Sequence, residues 1–73
     1  MKIGEKIIAL RVKNKISQTQ LAKKLGVSRQ SISKWESNES YPSLDKIIEL
    51  CNLFKITCDD LLKGNIVPED KVM

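Results

Sequence analysis

The sequence predicts one small domain that is all α and consists of five short helices. The chain has 73 residues, of which 41% are apolar, so it can form one modest core and no second one. Apolar residues recur at the three-to-four-residue spacing of a helix, and no stretch alternates for long enough to form a strand. The longest unbroken apolar run, at residues 7–10, is far too short to cross a membrane.

An apolar stripe and a capping motif predict the first two helices. Residues 4–14 carry a stripe of isoleucine and leucine side chains at helical spacing. Ser17 and Gln20 have the spacing of a capping box, in which the hydroxyl accepts from the third amide and the glutamine side chain reaches back. Helix two is therefore expected at 18–25. Gly26 should end it, because glycine adopts the left-handed conformation without steric cost.

Hydroxyl side chains predict the starts of the remaining three helices. Ser28, Ser43 and Thr57 each stand just before an apolar stretch of helical period, where they are favourable N-caps. Helices three, four and five are expected at about 28–37, 44–54 and 58–63. The domain is expected to occupy residues 1–66, with a tail at 67–73.

The charge is distributed unevenly along the chain. Residues 1–34 hold nine Lys or Arg and one acid, a balance of +8, whereas residues 35–73 hold four Lys and eight acids, a balance of −4. Such polarity suggests that the first half faces a polyanion. A merely solvated basic surface is the alternative, so the charge needs a motif beside it before it indicates nucleic acid.

The sequence gives little support to a metal site or an enzyme. Histidine is absent, which removes the commonest general base and metal ligand. The only cysteines, Cys51 and Cys58, cannot complete a zinc set. We expect both to be reduced thiols, with Cys51 buried and Cys58 exposed or half-buried. The acidic pairs at 59–60 and 69–70 stand at a short helix start and in the tail, so neither a catalytic residue nor a cofactor is predicted.

The most informative stretch is residues 17–38. Two short helices joined by a glycine turn can cross steeply only if the side chains at the crossing are small, and Ala22 stands four residues before Gly26. Ile32 and Trp35 then fill the angle from the other side. This is the pattern of a helix-turn-helix, whose second helix can lie in the major groove of DNA while the first lies across the backbone.

A wider string of residues resembles a known family. The string is Leu10-Arg11, Ser17-Gln18, Leu21-Ala22, Leu25-Gly26-Val27-Ser28, Ile32-Ser33, Trp35-Glu36, Pro42 and Leu44. It resembles the phage repressor/Cro-type (XRE) DNA-binding domain over residues 3–64. The resemblance implies a compact five-helix, lambda-repressor-like fold with the helix-turn-helix motif at about 18–37.

The resemblance assigns base reading to the exposed side chains of helix three. Those positions here are Ser28, Arg29, Gln30, Ser33 and Lys34. Their chemistry suits the role, because Arg can bridge O6 and N7 of guanine, Gln can bridge N6 and N7 of adenine, and Lys can reach guanine or a phosphate. The alternative for each is an ordinary solvated side chain.

The resemblance also implies backbone contacts and structural residues. Phosphate contacts fall on Gln18, Asn38, Arg11 and Lys13, and structural roles on Ala22, Gly26, Ile32, Trp35 and Glu36. Arg11 and Glu36 match a pair that the family joins by an ion pair between helices one and three. The free amides at the start of helix two suit an anion beside Gln18. Asn38 is equally well a helix C-cap, which does not exclude a phosphate contact.

Two features depart from the family's pattern. Lys15 stands where the family often has Gly or Asn in a left-handed turn, and we expect Asn14 to take that conformation instead. The loop at 37–43 carries no Lys or Arg, although many members of the family place basic residues there. Phosphate contacts should then be fewer or come from other lysines, namely Lys2, Lys6, Lys13 and Lys46.

Together these features imply a sequence-specific DNA-binding transcriptional regulator, and specifically a repressor, in the bacterial cytoplasm in association with the nucleoid. We expect it to bind palindromic double-stranded operator DNA as a homodimer that is weak in the free form. The candidate dimer patch comprises Leu53, Phe54, Leu61, Leu62, Ile66 and Val67. The alternative is a protein-interaction module, such as an antitoxin that binds a partner through its acidic half. A steep salt dependence of DNA binding would favour the regulator.

Overall fold

The computed structural model describes residues 2–62, which form five α-helices and no strand. The helices are α1 (Ile3–Lys13), α2 (Gln18–Leu25), α3 (Arg29–Glu36), α4 (Leu44–Phe54) and α5 (Cys58–Leu62). The all-α prediction is confirmed, and the predicted bounds of α1 to α4 hold to within one residue. The expected end of helix five at 63, the domain end at 66 and the tail at 67–73 lie outside the described residues.

Side-chain caps begin the helices where the sequence predicts them. Ser17 Oγ accepts from the amide of Gln20 at 3.0 Å, and Gln20 Oε1 accepts from the amide of Ser17 at 2.8 Å, so the capping box is present. Ser28, Ser43 and Thr57 each accept a hydrogen bond from the amide three residues further on. These bonds satisfy amides that have no partner inside the helix.

A left-handed residue follows each of the first four helices, and the one after α1 contradicts the prediction. Gly26 ends α2 at φ 68°, as expected. After α1, Lys15 takes the left-handed conformation at φ 59°, whereas Asn14 has φ −91°, so the prediction for Asn14 was wrong. The reason is a hydrogen bond: Asn14 Nδ2 donates to the carbonyl of Leu10 at 2.7 Å, which keeps Asn14 wound on the helix. The left-handed conformation is therefore taken by the next residue, Lys15.

The core lies where the apolar stripes of all five helices meet. Its buried side chains are Ile3, Ile7, Leu21, Ala22, Leu25, Ile32, Trp35, Ile47, Leu50, Cys51 and Leu61. Ala22 is buried on α2, and Ile32 and Trp35 are buried on α3, where these two helices are in contact. Within residues 2–62 no helix has the length and apolar character needed to span a membrane.

The beginning of α1 lies against the end of α3. The amide of Gly4 donates to Asn38 Oδ1 at 3.0 Å, and a Cβ atom at Gly4 would come within 2.5 Å of the carbonyl oxygens of Trp35 and Glu36. Only glycine permits this approach. The contact is also electrostatically favourable, because the first amides of a helix carry partial positive charge and the last carbonyls of another carry partial negative charge.

Cys51 and Cys58 are free thiols, the first buried and the second half-buried, as the sequence predicts. Burial raises the pKa of the Cys51 thiol from 9.0 to about 12, and a hydrogen bond with Cys58 acts in the same direction. The low dielectric of the core disfavours the thiolate. Cys51 therefore packs as a small apolar residue.

Replacing Gly4 and Gly26 should have unequal costs. Gly4→Ala places a methyl group against backbone carbonyls that cannot move aside, and we expect it to lower the free energy of unfolding by about 3 kcal/mol. Gly26→Ala meets open space and carries only the cost of a left-handed alanine, about 1–2 kcal/mol. Urea unfolding measures both values. A Gly4→Ala protein as stable as Gly26→Ala would contradict the close approach of α1 and α3.

The two thiols should differ in reactivity. At pH 8 iodoacetamide should modify Cys58 in the folded protein while Cys51 stays unmodified, because alkylation requires a thiolate and burial suppresses it. Peptide mass mapping over a time course distinguishes the sites. Denaturant should abolish the difference, and rapid modification of Cys51 in the folded protein would show that it is not buried as described.

Candidate nucleic-acid interface

The exposed face of α3 presents most of the predicted base-reading side chains. Arg29, Gln30 and Lys34 are exposed and Ser33 is half-buried, while the opposite face is buried in the core. Residues 29, 30, 33 and 34 are spaced so that they lie together on one side of a helix. Polar groups of this kind on one exposed helix face can reach base edges in a major groove.

Ser28 stands at the start of α3 and is exposed, but its hydroxyl serves as a cap. Ser28 Oγ accepts from the amide of Ser31 at 3.2 Å and lies 3.2 Å from Ser31 Oγ. The hydroxyl is thus committed to the helix start. The predicted contact of Ser28 with a base stays a prediction.

A buried carboxylate joins α3 to the first two helices. Glu36, with 7% of its surface exposed, accepts from Arg11 Nε at 2.7 Å through Oε2 and from Arg11 Nη2 at 3.3 Å through Oε1. This is the ion pair that the family resemblance implies. Gln18 Nε2 adds a third hydrogen bond, to Glu36 Oε1 at 2.9 Å. The carboxylate is therefore paired with a charge and further satisfied by an amide, as a buried charge requires.

The network continues in both directions from Glu36. Arg11 Nη1 donates to the carbonyl of Ile16 at 3.0 Å, which attaches the turn between α1 and α2. At the other end, Gln18 Oε1 accepts from Arg29 Nη1 at 3.2 Å. Gln18, which is predicted to contact phosphate, thus contacts Arg29, which is predicted to contact a base. Both contacts of Gln18 were missed from the sequence. Gln18 and Glu36 are separated by 18 positions and Gln18 and Arg29 by 11, and such distant pairs leave no local pattern.

Two of the predicted phosphate residues, Asn38 and Lys13, lie beside other groups of the protein. Asn38 takes a left-handed conformation at φ 64° just after α3, and its Oδ1 is bound to the amide of Gly4, which favours its role as a helix cap. Lys6 and Lys13 line a groove between α1 and α5 together with Asp60. The phosphate contact of Lys13 stays a prediction, as does that of Asn38.

Lys46 is committed to a structural role that the sequence did not indicate. Its Nζ donates to the carbonyl of Leu25, at the end of α2, at 2.7 Å, and forms an ion pair with Glu49 at 3.2 Å. The ammonium thus neutralises the negative end of α2. The expectation that Lys46 supplies a phosphate contact conflicts with these bonds.

The predicted dimer patch is not the exposed apolar surface of the structure. Leu61 is fully buried, and Leu53, Phe54 and Leu62 are partly buried against the core. Ile66 and Val67 lie outside the described residues. Among residues 2–62, the exposed large apolar side chains are instead Ile8, Val12, Tyr41, Leu44 and Ile48. The stripe on α4 is wide because the core takes most of it, as the width of the stripe in the sequence predicts.

The fold and the exposed face of α3 define the class of protein: a helix-turn-helix domain in which α2 and α3 form the motif. The family model described as helix-turn-helix matches residues 7–61, well over half of the chain. The chain belongs to this family, which confirms the resemblance to the phage repressor/Cro-type (XRE) domain.

Several curated proteins are similar to the chain. The HTH-type transcriptional activator BcrR of Enterococcus faecalis is 42% identical over 64 residues, and Repressor protein C2 of Salmonella phage P22 is 41% identical over 64 residues. Each alignment covers 88% of this chain, but 31% of BcrR and 30% of the repressor. Antitoxin PezA of Streptococcus pneumoniae is 34% identical over 71 residues, which cover 97% of this chain and 42% of PezA. The chain thus spans less than half the length of these relatives.

Solved structures of one relative share the fold. The crystal structure of the P22 c2 repressor in complex with a synthetic operator has a TM-score of 0.82 at 41% identity, covering 88% of this chain and 97% of that chain. The solution structure of the DNA-binding domain of the same repressor has a TM-score of 0.81 at 38% identity. The alignment covers 93% of this chain and 90% of that chain. These similarities confirm the predicted lambda-repressor-like architecture.

Removing one partner of the Arg11–Glu36 pair should destabilise the domain more than replacing both partners by apolar residues. Glu36→Leu leaves a largely buried guanidinium without its partner, and we expect a loss of about 3 kcal/mol in the free energy of unfolding. The double variant Arg11→Met/Glu36→Leu replaces both partners by apolar groups and should recover most of that loss. Urea unfolding of the wild type, both single variants and the double variant completes the cycle. Strictly additive costs would show that the two side chains do not interact.

Proposed function

We propose that this chain is a sequence-specific DNA-binding transcriptional regulator that reads the major groove with α3. The observation that carries the proposal is the exposed polar face of α3, held in a fixed orientation by the Glu36 network while its other face is buried. A reading helix must be rigid, because a base contact requires fixed donor and acceptor positions. The similarity to the P22 c2 repressor, whose structure includes a synthetic operator, supports the same use.

In this proposal the first residues of α3 distinguish base pairs. Arg29 has guanidinium donors beyond the Nη1 that contacts Gln18, and these suit O6 and N7 of guanine. The exposed amide of Gln30 suits N6 and N7 of adenine. Ser33 and Lys34 extend the same face towards the end of the helix. The read sequence is therefore proposed to contain a guanine and an adenine at neighbouring positions.

The beginning of α2 is proposed to contact the DNA backbone. The capping box uses the amides of Ser17 and Gln20, which leaves the amides of Gln18 and Thr19 pointing out of the helix end. Amides in this position bind phosphate, and the side chain of Gln18 retains one N–H that Glu36 does not use. Gln18 would thus fix the register of the domain on DNA and contact Arg29 at the same time.

We propose repression as the regulatory outcome. The similarity to Repressor protein C2 of Salmonella phage P22, at 41% identity over 64 residues, supports this outcome. The proposal places the protein on the nucleoid in the bacterial cytoplasm, on palindromic double-stranded DNA and as a weak homodimer, without a cofactor. It gives the chain no catalytic role; of its relatives, BcrR is a transcriptional activator and C2 a repressor protein.

A second candidate function is that of an antitoxin that binds a protein partner. The similarity to PezA over 97% of this chain is the observation that favours it. Such a protein would use the acidic second half of the chain and need not discriminate among DNA sequences. The salt dependence of DNA binding separates the two candidates, because neutralising phosphates releases counterions and makes binding fall steeply with salt.

Selection from a random duplex pool followed by sequencing tests the proposed function. A regulator should enrich one motif, and its affinity for that duplex should fall steeply between low and physiological salt. Recovery of no motif, together with a flat salt dependence, would reject sequence-specific DNA binding. A lysate partner captured without DNA would then favour the antitoxin.

Truncating the reading side chains should change the preferred sequence. Arg29→Ala and Gln30→Ala should each lose about 1–3 kcal/mol of discrimination at one base pair while non-specific binding survives. Competition binding against a panel of single-base variants of the selected duplex measures this. Asn52→Ala, an exposed polar change on α4, is the control and should leave the preference intact. If both α3 variants keep the wild-type preference, α3 does not read the sequence.

Gln18→Ala tests the backbone contact. We expect it to weaken binding to every sequence, because a phosphate contact carries no base information. It should also relax the preference at the base pair that Arg29→Ala affects, and at no other, because Gln18 Oε1 holds Arg29 Nη1. The same panel of duplexes measures both effects. A new preference at any other base pair would contradict this role.

A further inference from the structure

A solvent-accessible groove of about 330 Å³ lies between α1 and α5. Its lining residues are Lys6, Ala9, Leu10, Lys13, Ile56 and Asp60. We name these residues the α1–α5 groove. None of them is fully buried, and Ala9, Lys13 and Asp60 are exposed. A volume of this size is at the lower end of those that hold a ligand.

The α1 wall of the groove has a regular pattern. Four residues of α1 occupy positions i, i+3, i+4 and i+7 of one helix face, namely Lys6, Ala9, Leu10 and Lys13. The two lysines are thus two helical turns apart, which is about 10.5 Å along the helix axis. Ala9 and Leu10 stand between them. The wall is therefore an apolar pair with one cation at each end.

The charged side chains of the groove are not used within the fold. Among residues 2–62, neither the ammonium of Lys6 nor that of Lys13 forms an ion pair or a hydrogen bond, and the carboxylate of Asp60 forms no ion pair. Arg11 and Lys46, by contrast, are bound to carboxylates. The two lysines of the groove can therefore pair with the carboxylates of another molecule.

We propose that the α1–α5 groove binds an amphipathic helix of a partner protein, with acidic residues at positions i and i+7 and apolar residues at i+3 and i+4. This spacing is the complement of the α1 wall, because it places carboxylates opposite the two lysines and apolar side chains between them. A helix that lies in a groove is anchored through these same four positions. The inference goes beyond the proposed function and does not depend on whether α3 reads DNA.

The middle of the groove suits the apolar residues of such a helix. Leu10 and Ile56 are half-buried and pack against the core, so each still has apolar surface that a partner can cover. Ale small side chain of Ala9 lets the backbone of a second helix come close. The contact would have an apolar centre with its charges at the rim, which is the usual arrangement of a protein interface.

The α5 wall of the groove favours a peptide over a DNA backbone. Asp59 and Asp60 are exposed acids of α5, and a carboxylate, like a phosphate, only accepts hydrogen bonds. A phosphate chain would therefore be repelled by this wall. A helix can present acids to α1 and hydrogen-bond donors to α5 at once, because its successive side chains point to different faces.

The test uses two matched synthetic peptides and the full chain. Both are labelled, helical peptides of alanine and glutamine with leucine at i+3 and i+4. The first has glutamate at i and i+7, and the second has the same two glutamates at i+2 and i+9, on the opposite face. By fluorescence anisotropy we expect saturable binding of the first with a dissociation constant below about 1 mM, weak because the contact is smaller than a standard interface. The second should bind at least about fivefold more weakly.

Three variants of the protein test the two features of the groove. Lys6→Gln/Lys13→Gln should weaken binding of the first peptide at least about fivefold, whereas Lys23→Gln/Lys24→Gln, which removes two exposed cations of α2, should change it less than about twofold. Ala9→Arg adds a positive charge but fills the groove, and should weaken peptide binding at least about tenfold. Melting temperatures verify that each variant is folded.

Absence of saturable binding would overturn the proposal, as would equal losses in the two lysine variants. Tighter binding of the peptide by Ala9→Arg would show attraction by charge alone and would also overturn it. Amide resonances of Ala9, Leu10 and Ile56 should shift when the first peptide is added.

The same resonances identify any other occupant of the groove. Shifts caused by protein concentration alone would indicate a second copy of the chain, and shifts caused by Glu69→Gln/Asp70→Gln without peptide would indicate the chain's own last residues. Shifts with duplex DNA in place of the peptide, together with tighter DNA binding by Ala9→Arg, would indicate a phosphate backbone. Each of these results would overturn the assignment of the groove to a partner helix.

Discussion

The buried carboxylate of Glu36 is the constraint on which the arrangement of the first three helices depends. It stands in the last turn of α3 and accepts hydrogen bonds from Arg11 on α1 and from Gln18 on α2. Because a buried charge without partners is strongly destabilising, the three helices must meet where all these bonds form together. The bonds therefore define the direction in which α3 presents its exposed face.

Steric contacts also hold α3 in place, in addition to the hydrogen bonds of the Glu36 carboxylate. α3 has eight residues and buries only two large apolar side chains, Ile32 and Trp35, so apolar packing alone would hold it by a narrow stripe. The approach of Gly4 to the carbonyls at the end of α3 adds a second attachment, and Asn38 joins the same junction by accepting from the Gly4 amide. A short helix attached at its core face and at its end keeps its polar face free.

The helices could be predicted from local signals in the sequence, whereas the long-range contacts between side chains could not. The capping box of Ser17 and Gln20 acts within four residues, so its spacing is visible in the sequence. The Arg11–Glu36 pair was predicted only through the family resemblance, and the bond from Gln18 to Glu36 was not predicted at all. Likewise, Lys46 looks like a free surface cation in sequence, yet its ammonium is bound at the end of α2. Side-chain partners depend on which helices meet, and no local pattern contains that information.

The position of Glu36 in the sequence explains how a buried network and a basic surface coexist. Residues 6–35 contain eight Lys or Arg and no acid, so Glu36 is the first carboxylate after Glu5. Its charge is buried and neutralised by Arg11, and it does not weaken the field of the exposed cations on α2 and α3. An exposed acid at the end of α3 would repel phosphates. A buried one orients the helix and leaves the attraction of the basic surface for a polyanion intact.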